Sequence, residues 1–365
     1  MKSTSFKYST VTILLLLISI SVSSQSFTKE DTIRRSFALE ENTEIEITNK
    51  YGDITIENWD KDSIRIEIVY KVTSNKKPKL DPIYDAINFD FKANKYYVNV
   101  KTVFEGRGSF WFDVSEIANN LFAAGTYTSI DYIIYVPANQ HLNINLKYGS
   151  VYMTNHTGYF NLSISNGNLK AHSLSGETKL NIDYGDAVVK NFTEAFVKLR
   201  YGTLDAQYAK KLSLTGQSSE FDLGIVDELI IDSKRDRVSI EEVNTISGTT
   251  YFTKLTIGEI TGKLELSTKY GSFKLQTISK NVSNVQISTY NTSVNLFFQK
   301  GNNYRISLTS DNKAEVAYSA KLGEFEVSEL PNKLKSAVCI YGSENMSIPV
   351  NIDIKSGLLT LKVSE

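Results

Sequence analysis

A tripeptide of tyrosine, glycine and a polar residue recurs along this chain, and its spacing constrains the fold more than any other feature. It stands at Tyr51-Gly52-Asp53, Tyr148-Gly149-Ser150, Tyr184-Gly185-Asp186, Tyr201-Gly202-Thr203, Tyr270-Gly271-Ser272 and Tyr341-Gly342-Ser343. With the tyrosine as slot zero and the gaps filled by the apolar pattern, the slots fall at Tyr148, Asn166, Tyr184, Tyr201, Ser218, Arg235, Phe252, Tyr270 and Asn291. All but the last spacing are 17 or 18 residues. A unit this short cannot bury its own apolar face, so it must stack on its neighbours.

The columns test that register. Slot +3 reads Val151, Leu169, Ala187, Leu204, Phe221, Val238, Leu255, Phe273 and Val294, and slot +5 is apolar in all nine repeats as well. Slot +4 between them is mostly polar, and slot −4 is apolar except at Gly248. Alternation with period two means strands with one buried face. Each repeat is expected to hold two short strands with a turn at slot zero, the glycine at +1 taking the positive φ of that turn. A strand period inside a fixed coil length predicts an all-β solenoid of about nine coils. At about 4.8 Å per coil it would form a rod of about 40 Å. No proline occurs from Ala138 to Leu330, in keeping with an unbroken ladder. A β-sandwich, with strands every 8–12 residues, is the competing architecture.

The ends depart from the period. Residues 37–72 carry one earlier coil, with Ile45, Ile47, Tyr51, Ile54 and Ile56 in matching columns. Residues 25–136 are taken as an N-terminal β region and cap lobe, 137–300 as the repeats, and 301–365 as C-terminal strands closing the solenoid. Asn75 to Pro78 and Asp81-Pro82 read as turn chemistry, and Ser115 to Ala123 as a short helix. Val350-Ile352-Ile354 and Leu359-Leu361-Val363 are expected to close the far end.

Residues 1–24 have the parts of a cleaved secretory signal: Lys2 and Lys7, a short apolar run from Val11 to Ile20, then small residues before Gln25. The chain is therefore expected to be exported to the periplasm or cell surface, with no membrane insertion after cleavage. The whole chain has 40 Lys+Arg against 41 Asp+Glu. This balance shows no basic surplus and argues against nucleic acid as a partner. Cys339 is the one cysteine, which excludes an internal disulfide, and its apolar surroundings predict a buried inert thiol.

Asn49-Lys50-Tyr51-Gly52-Asp53-Ile54 with Trp59-Asp60-Lys61-Asp62, and Tyr135-Val136-Pro137-Ala138 leading into Leu146-Lys147-Tyr148-Gly149-Ser150-Val151, carry a resemblance. Together they resemble the uncharacterised adhesin-like β-solenoid family of bacterial envelope proteins, a head-GIN-like domain of unknown function. The resemblance covers most of residues 37–300. It implies a right-handed parallel β-helix-like fold and an exported envelope protein of a Gram-negative, bacteroidete-type bacterium. Some relatives are encoded near envelope-stress regulators. The family supplies no catalytic residues.

Several candidate sites stand beside blander readings. The tyrosines Tyr51, Tyr148, Tyr184, Tyr201 and Tyr270 form a structural column that braces neighbouring coils, or alternatively offers ring faces to a sugar. Asp183 and Arg200 are opposite charges in adjacent coils at slot −1. Asp205 and Asp222 share slot +4 about 5 Å apart. That spacing suits a glycosidase pair or a calcium site, or simply two solvated acids. His141, His156 and His172 share no column, which speaks against a common metal. Phe110-Trp111-Phe112 near Arg107 is the densest aromatic cluster and the leading contact site, unless it seals the cap lobe.

The lead expectation is a non-enzymatic envelope protein, an adhesion or interaction module using an extended β-solenoid surface. Its partner would be a protein or glycan of the cell envelope, with no cofactor and no metal. A periplasmic partner of an anti-sigma-type regulator and a β-helix polysaccharide lyase or hydrolase are the competing readings.

Overall fold

The computed structural model describes residues 26–104 and 125–364. The chain divides into two compact units: Met1–Thr32 with Val69–Asn88 and Val103–Ser129, and Ile33–Ile68 with Phe89–Thr102 and Ile130–Glu365. The second unit is a large, mostly parallel sheet wound as a solenoid.

In the middle of that unit each coil is one bent strand rather than two short ones. Leu169–Asp183, Ala187–Arg200, Thr203–Gln217, Glu220–Lys234, Arg237–Tyr251 and Lys254–Lys269 each run unbroken from slot +2 or +3 to slot −1 of the next repeat. The second bend needs no loop. Two consecutive outward residues, such as His172 and Ser173 between buried Ala171 and Leu174, turn the chain. The ladder to the next coil skips His172 and resumes at Ser173, which pairs with Asn191. The predicted columns are the observed registers: Leu169 pairs with Ala187, then Leu204, Phe221, Val238, Leu255, Phe273 and Val294 in successive coils. All eighteen residues of slots +3 and +5 are buried. These columns are the core, and each buried Val, Leu, Ile, Met or Phe in them contributes about 2 kcal/mol of apolar transfer, with less from Ala171, Ala187 and Ala206.

The corner corrects one expectation. In the nine repeats positive φ belongs to slot zero itself, not to the glycine after it, and at the earlier coil both Tyr51 and Gly52 have it. All nine assigned slots and Tyr51 have φ between 50° and 69°. Asn166 and Asn291 suit that region, but a bulky side chain there costs about 1 kcal/mol. Ring stacking offsets the cost where aromatics are neighbours. Tyr51 stacks on Tyr148 at 5.4 Å, Tyr184 on Tyr201 at 4.9 Å, and Phe252 on Tyr270 at 5.1 Å. Glycine at +1 answers a different need, close approach between coils. A Cβ on Gly149, Gly167, Gly185 or Gly202 would lie within 2 Å of the carbonyl oxygen of the preceding coil's glycine.

Three consecutive coils replace that glycine with Ser219, Asp236 and Thr253, all buried. The polar atoms are paired inside the corner. The Asp236 carboxylate accepts from the backbone N–H of Ser219 (2.8 Å) and Lys234 (2.9 Å) and from Ser233 Oγ (2.7 Å). Gly216 leaves the space that its Oδ2 occupies. Burial raises the Asp236 pKa against these donors. Asp236→Ala strands three donors at once and is expected to cost about 2 kcal/mol in urea unfolding. A loss below a few tenths would show that water replaces the carboxylate.

Both ends of the second unit are closed by intercalation. The strands Glu44–Lys50 and Ile54–Asn58 pair in parallel with His141–Lys147 and Val151–His156 on one side. On the other side they pair with Tyr97–Phe104 and Thr126–Val136. At the C-terminal end Ile348–Val363 is a further coil, with Ser356 at slot zero (φ 56°). It lies between Asn284–Phe298 and the strands Tyr304–Ser310 and Ala314–Tyr318. The chain thus passes over one coil position, lays down the outer coil, and fills the gap with its last strand. The outermost parallel coil is residues 304–318, not the last strand as the sequence suggested, and an antiparallel hairpin lies beyond it. Tyr341 is no corner at all. It ends an antiparallel strand, Leu334–Tyr341, paired with Tyr304–Ser310.

In the first unit, Lys77–Asp85 is a helix rather than the expected turns. Pro78 sits in the first turn, where no N–H is needed. Tyr84 of this helix stacks on Tyr70 at 5.0 Å, and Lys29 reaches Asp81 and Asp85 at 3.2 and 3.4 Å. No helix among the described residues is long and apolar enough to cross a membrane.

Candidate functional site

Slots −5, −3 and −1 form an outward face on which parallel strands in register place equivalent positions of successive coils side by side. Slot −5 runs Asn143, Asn161, Lys179, Phe196, Ser213, Ile230, Ser247, Glu265, Gln286 and Asn351 without a break in pairing. Two large grooves open on this one face, with a smaller hollow of about 170 Å³ at Lys198, Arg200, Thr215, Gln217, Asp232 and Lys234.

The first, of about 720 Å³, lies toward the C-terminal coils. Its walls are Tyr251, Lys269, Tyr290 and Lys355, the slot −1 residues of four successive coils, with Tyr270 from the adjacent corner. Ser267, Ser288, Thr309 and Asp353 form its floor, and Leu334 of the antiparallel hairpin closes it. The rings hold one another edge-on. Tyr251 meets Phe252 at 4.6 Å and Tyr270 at 5.5 Å, and Tyr270 meets Tyr290 at 5.3 Å. Burial and the neighbouring Tyr290 hydroxyl raise the Tyr270 pKa, so the Tyr270 phenol stays a neutral donor at ordinary pH.

The second groove, of about 640 Å³, lies toward the N-terminal coils and is polar throughout. Asn143, Asn145, Asn161 and Asn99 line it with Glu44, Glu46, Asp90, Lys92 and Lys101. Asn99 donates to Glu46 at 2.6 Å, Asn161 to Asn143 at 3.1 Å, and Lys92 pairs with Asp90 at 2.9 Å.

No protein-family model matches this chain, and no curated protein matches it. Among solved structures it is similar to a "putative cell adhesion protein" from Clostridium sporogenes, at 11% identity and a TM-score of 0.21, covering 92% of this chain and 100% of that one. It is also similar to a "putative adhesin" from Bacteroides fragilis, at 12% identity and a TM-score of 0.29, covering 92% and 97%. Likeness at this level carries no argument about activity.

The residues singled out in the sequence fall in several places. Arg107, Phe110, Trp111 and Phe112 lie outside the described residues, as do the signal segment and the expected helix at Ser115 to Ala123. Of the tyrosine column, Tyr51 is 4% exposed, whereas Tyr184 is 58% and Tyr201 47% exposed, so the stacked pair Tyr184/Tyr201 presents its rings to solvent. Asp183 and Arg200 are joined by a bidentate ion pair. The guanidinium's pKa is raised by the carboxylate. Asp205 and Asp222 are directly paired across the ladder and exposed, flanked in their column by Val188 and Ser239. His172 meets Asn155 at 3.2 Å, while His156 is buried among apolar side chains. Cys339 is buried, its Sγ donating to the Leu322 carbonyl, and burial pushes the thiol pKa up. The C-terminal groove escaped sequence reading because its tyrosines belong to two columns. Only slot −1, followed past Lys234, shows Tyr251, Lys269, Tyr290 and Lys355 in line.

Proposed function

We propose that this chain is an exported, non-enzymatic envelope protein, an adhesion or interaction module. It presents ligand contacts along a right-handed solenoid of about nine coils, with residues 25–136 as cap lobe and 301–365 as closing strands. The observation that supports this reading is the pair of grooves on one continuous face, each built from side chains repeated coil by coil. A rigid ladder fixes those side chains before binding, so little entropy is lost when a long ligand lies across them. Weak contacts repeated along one face add up to avidity. The cluster of Arg107 and Phe110 to Phe112 serves in this reading as a second contact, for an envelope protein or glycan.

Protease treatment of intact cells tests the surface reading. The expected result is loss of the protein to external protease without opening the outer membrane. Survival until that membrane is opened would place the protein in the periplasm, and adhesion would give way to a regulatory partner.

A further inference from the structure

Slot −1 alternates cation and ring over five consecutive coils: Lys234, Tyr251, Lys269, Tyr290 and Lys355, each directly paired with the next. The three lysines are exposed, and none joins an ion pair among the described residues. Successive lysines are two strand spacings apart, about 9.6 Å. Along a solenoid this period is rigid, unlike a row of lysines on a loop. The chain as a whole is slightly acidic, so this row is a local feature and not part of a general basic surface.

We propose that this row and its groove bind a linear acidic polysaccharide carrying one negative charge on every second sugar. The argument is one of matched periods. A pyranose unit in an extended chain advances about as far as one strand spacing, so an alternating polymer brings a carboxylate to each lysine and a neutral ring face to each tyrosine. Tyr251 and Tyr290 are wedged by Phe252 and Tyr270 and supply fixed stacking platforms. Ser267, Ser288 and Thr309 on the floor offer hydroxyls that both donate and accept, which suits sugar hydroxyls. Asp353 on the same floor accepts from Gln286 at 3.5 Å and repels a carboxylate, leaving that position for a hydroxyl donor. A polymer charged on every sugar sets half of its carboxylates over the tyrosines, away from any cation.

This inference rests on the interaction-module reading, and the test separates the two. Titration calorimetry of the full chain is run with a hyaluronan octasaccharide, an oligogalacturonate octamer and a neutral chitooligosaccharide of the same length. Hyaluronan is expected to bind best, with affinity falling as salt rises. Lys269→Ala and Lys355→Ala are each expected to weaken it about tenfold, and Tyr290→Ala similarly, with Lys269→Arg restoring most of the loss. The unfolding midpoints of these exposed variants should match the parent chain. Equal binding of the three sugars, no hyaluronan binding, or no effect of the lysine variants would overturn the proposal. If the neutral oligosaccharide alone bound and cells still adhered, the module reading would stand while the acidic ligand fell.

Discussion

Gly167→Ala is expected to destabilise the solenoid by about 4 kcal/mol or more, among the largest effects of any single methyl group in the chain. The added Cβ would sit 1.7 Å from the Gly149 carbonyl oxygen and 2.8 Å from its carbon, so the two coils must part. Separation there breaks the corner ladder, in which Tyr148 N–H donates to the Ser165 carbonyl and Val151 N–H to the Asn168 carbonyl. Because each coil touches only its neighbours, the damage should stay local before it spreads. Hydrogen exchange should show protection lost first around residues 148–187, with coils beyond Tyr201 holding. Gly301→Ala is the control. Its Cβ meets nothing within 4 Å but its φ is 92°, so it reports backbone strain alone, about 1 kcal/mol. If Gly167→Ala cost no more than Gly301→Ala, close approach between coils would not be the reason for glycine at slot +1.

That corner shows what was legible in the sequence. The slot positions, the inward columns and the in-register stacking follow from a period-two pattern repeated every 17 or 18 residues. All nine assigned slots adopt the left-handed corner. The mechanism at the corner was not legible. Tyrosine followed by glycine invites the glycine to be the left-handed residue, yet the glycine is there to let two backbones touch. The single apolar miss at Gly248 has a similar origin, since a Cβ there would lie 1.9 Å from the Ile231 carbonyl oxygen. The ends were legible as strands but not as an order in space. Periodicity reports which face is buried, and it does not report that Ile348–Val363 slides between two coils already laid down. The C-terminal groove was hidden for the same reason. Its walls join residues 251–290 to Lys355 across 64 residues of intervening chain, and no local pattern links them.

Acidification is expected to weaken the fold through His156. This side chain occupies slot +8, where later coils have Leu174, Phe192, Ala209 and Val226, and it is 1% exposed. No group meets either ring nitrogen in good hydrogen-bond geometry, though the backbones of Tyr159 and Gln140 lie close enough to favour the charged ring slightly, and Phe160 packs against the ring at 5.8 Å. Burial pushes its pKa down from 6.5 to about 4, with His141 adding a smaller effect in the same direction and the backbone of Tyr159 and Gln140 opposing it. Above pH 6.5 the imidazole is neutral whether the chain is folded or not, and it contributes no pH dependence. As pH falls from 6.5 to about 4 the unfolded chain takes up a proton that the folded chain refuses, so stability drops over that window. The full loss is about 3 kcal/mol, reached below pH 4. Asp236 works in the opposite sense, because its raised carboxyl pKa makes the folded chain bind a proton before the unfolded one does. The difference between the parent chain and His156→Leu isolates the histidine from this and every other titrating group. Leucine matches the next residue in the column, so the variant is expected to be more stable by about 1 kcal/mol at pH 7 and to lose less stability on acidification. Urea midpoints at pH 7.5, 6, 5 and 4 check it. Parallel curves for the two proteins would mean that the ring is charged or hydrated inside the coil, and the packing described for slot +8 would be wrong.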